Sequence, residues 1–150
     1  MPSPAVLLLI NLVVTWYLAG LIWTIQLVHY RQFGLVGETN WLTYHRRHST
    51  MITWIVAPAM LIELATSVGL VIHRPPTVSP AMAWAGVIAV GLIWLSTAFL
   101  QVPIHNRLAK AFDADACRSL TAGNWIRTAL WTGRGVLMAY AMLGVLKTVG

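Results

Sequence analysis

The stretch YHRRHSTMITWIVAPAMLIELAT, Tyr44–Thr66, decides the fold. It opens with two histidines and two arginines, enters an apolar run, and carries a single carboxylate, Glu63, deep within it. A helix advances 100° per residue, so His45, His48, Ile52, Ala59, Glu63 and Thr66 fall within about 60° of one another. Hydrocarbon cannot satisfy such a stripe, so it has to face protein or water. The stretch therefore predicts a membrane-length helix with one polar edge turned inward.

Composition points the same way. Of 150 residues, 58% are hydrophobic and 9% charged, and eight are Trp. A soluble domain carries about a quarter charged residues, so this chain lacks the polar surface to coat a soluble globule. The expectation is one membrane domain over residues 1–150. The net charge of +6 does not imply nucleic acid as a partner. Its basic residues sit at the ends of apolar runs, where anionic headgroups anchor them. Cys117 is the only cysteine, which excludes an internal disulfide and leaves a free thiol.

Outward from the opening stretch, four spans are expected at about 4–30, 49–72, 81–104 and 125–149. The first is too long for a signal-peptide core. The connection RQFGLVGETN, 31–40, reads as a glycine turn followed by a helix start at Trp41, whose first two turns project from the membrane. HRPPTVSP, 73–80, is a short stiff return. Residues 105–120 read as an amphipathic interfacial segment, with Leu108, Phe112 and Ala116 against the bilayer and Arg107, Lys110 and Arg118 outward. A break is expected at 121–124.

Arg31, Arg46, Arg47, Arg107, Lys110 and Arg118 lie in the connections after spans one and three, with Arg127 at the edge; the other side holds Arg74 and Lys147. The positive-inside rule then puts both long connections in the cytoplasm and both termini outside, in the cell (inner) membrane. His29, His45, His48 and His105 all fall near the cytoplasmic face.

Every span repeats the one-sided pattern. Asn11, Thr15, Ile22, Gln26 and His29 share a face of the first; Trp94, Thr97, Gln101 and His105 share one of the third; Asn124, Arg127, Trp131 and Arg134 share one of the fourth. Four such helices predict an all-α, antiparallel four-helix membrane bundle with a polar seam. Pro58 and Pro103 release the carbonyls of Trp54 and Phe99, so both helices are expected to bend beside the histidines. Gln26–His29 and Gln101–His105 hint at a duplicated hairpin.

QVPIHNRL at 101–108 and NWIRT at 124–128 resemble the anthrone-oxygenase-like family of small four-helix membrane proteins, largely uncharacterised. That family closes its third span with Val-Pro and an Asn-rich Arg-Leu motif and opens its fourth with Trp and Arg-Thr. This chain has His105-Asn106 where Asn-Asn is expected. The resemblance covers the third and fourth spans; the first two match in layout. It implies an oxidoreductase that oxygenates an anthrone-type phenolic carbon to a quinone without metal or flavin, with His105, Asn106, Arg107 and Arg127 lining the site.

The residues themselves support that chemistry in outline. Cofactor-free oxygenation needs a base to make an electron-rich phenolate and a cation to hold reduced oxygen. Histidine supplies the first and arginine the second. The catalytic set is then His29, His45, His48, His105 and Arg127, with Gln26, Gln101, Asn106, Arg107 and Trp131 around a lipophilic substrate arriving from the bilayer. Two other readings stay open. His45-x-x-His48 with His29 and His105 is also a donor set for iron, copper or haem. A non-catalytic subunit, self-associating or bound to a membrane-protein partner, fits the same composition, and a transporter is a further reading. Glu63 and Arg134 are the only charges in the interiors of their spans, and charges in hydrocarbon predict an ion pair.

Overall fold

The computed structural model describes residues 2–148. The expected end of the fourth span, at 149, lies outside them. Four long helices account for nearly all of the described chain: α1 (Pro4–Leu35), α2 (Glu38–Ile72), α3 (Pro80–Leu108) and α4 (Ala114–Leu146). Each is long and apolar enough to cross a membrane. Among the described residues there is no strand. α1 packs on α2 and α4, and α3 packs on the same two, so the helices form a closed ring.

The starts follow from cap chemistry. Ser3 caps α1 and Ser79 caps α3, each accepting a backbone N–H three residues on and each followed by proline at the first helical position. Before α2 the chain turns at Gly37, whose φ of 77° is open to glycine at no steric cost. α2 accordingly begins at Glu38, and Thr39 and Asn40 lie inside the helix instead of starting it at Trp41.

Within α1 and α3 one turn each is π-helical, Ile25–His29 and Thr97–Gln101. The second lies directly ahead of Pro103, which cannot donate to the ladder. Around Pro58, by contrast, α2 remains α-helical.

The expected interfacial segment over 105–120 is not present. His105–Leu108 is the last turn of α3, the chain turns over 109–113, and Asp113 caps α4 by accepting the Ala116 N–H at 2.9 Å. Leu108 and Ala116 are buried in the bundle and Phe112 packs against the same core, so these residues face protein, not bilayer. There is also no break at 121–124. Thr121 returns its hydroxyl to the Cys117 carbonyl and Asn124 Nδ2 donates across to Gln26 Oε1, both from within a continuous helix.

The outside of the ring is apolar, with Trp54, Phe99 and Tyr140 strongly exposed. The inside is layered. Leu8, Leu70, Val78, Met138 and Ala141 close one end. A larger cluster including Leu18, Ile22, Phe33, Trp41, Leu120 and Trp131 fills the other half. Polar layers lie between and beside them.

Asp113 lies at the turn outside the helices, and the Ala116 N–H and then Arg107 hold its carboxyl below the ordinary carboxylate range. A depressed folded-state pKa stabilises above the unfolded value and is lost as pH falls through the folded one. Asp113→Asn keeps the cap and removes the charge. Its melting temperature in detergent should lie below the parent's at neutral pH, and the gap should close in strong acid. A gap that widens on acidification would contradict the assignment.

Candidate functional site

Two buried polar layers occupy the ring. The first is centred on Glu63 of α2 and Arg134 of α4, whose side chains are fully buried and meet at 2.9 Å, Nε to Oε1. Thr15 of α1 donates to the same Oε1 at 2.9 Å, and Trp131 Nε1 donates to Oε2 at 3.0 Å. Arg134 also donates to the Gly86 carbonyl at 2.6 Å, to Asn11 Oδ1 at 2.8 Å and to Ser67 Oγ at 2.6 Å. All four helices thus contribute to one network. The close approach at α3 depends on Gly86, because a Cβ there would stand 2.9 Å from Arg134 Nη1.

The second layer holds the histidines. His29 Nε2 lies 2.7 Å from His48 Nδ1, and His45 Nε2 lies 3.2 Å from His105 Nδ1. The two pairs adjoin, with the His48 and His105 rings stacked at 6.1 Å. An N···N hydrogen bond needs a donor and an acceptor, so at most one ring of each pair is protonated. Tyr30 of α1 reaches His105 Nε2 at 3.2 Å. Phe33 meets His29 and His48 edge-on at 5.6 and 5.1 Å, and Trp41 covers His45 at 5.4 Å. Trp41 is itself pinned by donating Nε1 to the Leu108 carbonyl at 2.7 Å.

Two clefts open on this layer. Between α1 and α2 a cleft of about 350 Å³ has His29 and His48 in its wall among Leu21, Ile25, Met51 and Ile55. On the other side of α2, between α2 and α3, a cleft of about 310 Å³ reaches His45, His105 and Asn106. The histidine layer therefore spans α2 from one cleft to the other.

Of the remaining expected site residues, Gln26 is buried and bonded to Asn124 Nδ2 and the Thr121 carbonyl. Gln101 is buried beside Gly123. Arg127 is buried over the Trp131 ring at 5.1 Å. Trp131 belongs to the Glu63 network, not to the wall of either cleft. Arg107 is exposed and paired with Asp113. Metal ligands at about 2.0–2.1 Å in tetrahedral array stand roughly 3.3 Å apart, so the 2.7 Å His29–His48 contact is a direct hydrogen bond. Among the described residues no three His, Cys, Asp or Glu side chains are arranged to hold a metal ion.

Tyr30, Phe33 and Trp41 are the cluster members that periodicity did not single out. Tyr30 follows His29 directly, and on a regular helix their side chains diverge by 100°. At the end of the π turn His29 is half-buried and Tyr30 buried, so both reach the histidine layer. The one available signal was the aromatic-histidine density of the segment. Compared with protein-family models, curated proteins and solved structures, the chain matches none.

Glu63→Gln or Arg134→Met alone should cost about 3–5 kcal/mol of stability, because each strands a buried charge. The double replacement should cost less than the sum. A thermal-stability cycle in detergent that gave additive losses would mean the two charges are not coupled. Gly86→Ala should also lower the melting temperature, through displacement of the Arg134 guanidinium.

Proposed function

We propose that the chain is an integral protein of the cell membrane, an antiparallel four-helix bundle with both termini outside. Connections of two, seven and five residues join the successive helices, and such short returns suit antiparallel neighbours. The apolar exterior fits lipid, and the basic residues concentrate at the histidine end. Cysteines introduced at Thr77 and Lys110 are expected to react with a membrane-impermeant maleimide from opposite sides of intact cells. Labelling of both from one side would refute this topology. Native Cys117 is buried and should stay silent.

Within this frame the histidine layer is an acid–base site for a lipophilic phenolic substrate of anthrone type, drawn from the bilayer. The observation that carries the reading is the 2.7 Å His29–His48 pair in the wall of a mostly apolar cleft about 350 Å³ in volume. A ring-sized apolar molecule fits that space, and its hydroxyl would meet the imidazoles. The pair takes the phenolic proton as one unit, the second ring sharing the charge. The phenolate so formed is oxidised by dioxygen at its ring methylene. One methylene and one dioxygen give one ring carbonyl and one water, which balances without a further reductant. Tyr30, His105 and His45 form a separate hydrogen-bonded group, which adjoins the pair where the His48 and His105 rings stack.

The test uses detergent-purified protein with an anthrone and dioxygen, following quinone absorbance. His29→Ala and His48→Ala should each lower the rate by about 10²–10⁴-fold, the usual worth of a positioned acid–base group, with little change in melting temperature. Wild-type protein that forms no quinone above buffer would overturn the reading. A Soret band or stoichiometric iron or copper in the purified protein would replace it with a haem or metal site.

A further inference from the structure

Two guanidinium groups are buried in this bundle, Arg127 and Arg134, at 6% and 2% exposure, and Glu63 is the only carboxylate buried with them. That carboxylate is already engaged by Arg134, Thr15 and Trp131. The other three acids lie elsewhere: Glu38 is exposed at the start of α2, Asp113 pairs with Arg107, and Asp115 pairs with Arg118. Among the described residues, Arg127 therefore has no carboxylate partner. One positive charge in the interior is left uncompensated, in surroundings where a lone ion is costly.

Around Arg127 are polar atoms that are equally unprovided for. Its own Nε has no hydrogen-bond partner, nor do Oε1 and Nε2 of Gln101 or Oδ1 of Asn124. Gln101 and Asn124 are 1% and 0% exposed. They gather at one level. Asn124 and Arg127 are three residues apart on α4 and share a face. Gln101 of α3 abuts the same turn, since a Cβ at Gly123 would lie 3.3 Å from its Nε2. The Tyr30 hydroxyl stands beside the guanidinium from α1. Buried polar groups in folded proteins find partners, so this concentration of orphans around an unpaired cation marks a place where something else is held.

We infer that Arg127, Gln101, Asn124 and Tyr30 form a seat for a small oxyanion taken from solution. The donors Arg127 Nε–H and Gln101 Nε2–H suit its oxygens. The unpaired amide oxygens need a donor in return, so an oxyanion that keeps one O–H, of the bicarbonate class, meets both requirements. The flat face of Arg127 is occupied by Trp131, which leaves the guanidinium edge for the ligand. The seat adjoins the histidines through Tyr30, which also bonds His105, and its occupation does not require the oxidation chemistry proposed for the cleft.

The experiment is thermal denaturation of the full chain in detergent, titrated at constant pH and ionic strength with sodium bicarbonate, sodium formate or sodium gluconate. Bicarbonate should raise the melting temperature saturably, formate less, and gluconate not at all. Arg127→Gln and Gln101→Leu should each weaken the apparent bicarbonate affinity by about ten- to a hundredfold, the worth of one hydrogen bond to a charged group. Gln101→Leu keeps the guanidinium and serves if Arg127→Gln does not fold. Arg107→Gln, at the exposed Asp113 pair, should leave the response unchanged. A melting temperature indifferent to all three anions would overturn the proposal, because water would then satisfy the orphan groups. So would a tyrosinate absorption band at neutral pH that disappears in Tyr30→Phe, because a phenolate would then balance the arginine. Anion dependence without quinone formation would sink the oxidation reading and leave this seat standing.

Discussion

The contact on which the bundle depends is the fully buried ion pair between Glu63 and Arg134. Two charges removed from water recover their desolvation cost only when geometry and further hydrogen bonds are complete. Here they are nearly so. The carboxylate accepts from α1 and twice from α4, and four Arg134 hydrogen bonds run to α1, α2 and α3. Each helix must therefore sit at one rotation and one height for the layer to close. Apolar contact alone would not impose this, since hydrocarbon outside and side chains inside are equally apolar to a leucine. A polar layer penalises every other register by leaving a charge without its partner.

Holding that layer fixes what lies further along the helices. His45 and His48 are on the same edge of α2 as Glu63, so the rotation that points Glu63 inward points them inward as well. The π turns of α1 and α3 then adjust register locally, and they occur where Gln26, His29 and Gln101 enter the interior. A wider turn costs hydrogen-bond quality, and its return is that neighbouring positions reach the same side. The resulting layer combines imidazoles in direct contact, a phenol and apolar walls.

The Glu63 layer and the surroundings of Arg127 differ in how far they are satisfied. Around Glu63 nearly every polar atom has a protein partner. Around Arg127 several have none. Within one bundle the first is complete in its own hydrogen bonds and the second is not. The contrast rests on the number of carboxylates in the interior, one for two guanidinium groups.

Helical periodicity is a local property, and what depends on it was readable from the residues alone. That includes four long apolar helices, the shared edge of His45, His48 and Glu63, and Asn11, Thr15 and Gln26 on one face of α1. Cap chemistry is local too, yet hydropathy obscured it. An amphipathic pattern over 105–120 suggested an interfacial segment and 121–124 a break, whereas the chain turns over 109–113 and Asp113 caps a helix that runs unbroken through 121–124, where Thr121 Oγ1 and Asn124 Nδ2 find acceptors. For inward groups other than Glu63 and Arg134, the partner was decided only by tertiary structure. Sequence put Arg127 at the edge of its span, and helix packing buries it against Trp131, while Glu63 meets Arg134. The family resemblance implied Arg107 in the site with His105, whereas in the bundle Arg107 is exposed and pairs with Asp113. Spacing along one helix determines the face a side chain occupies; the relative height and rotation of two helices determine what that face touches, and those follow from the whole set of buried contacts at once.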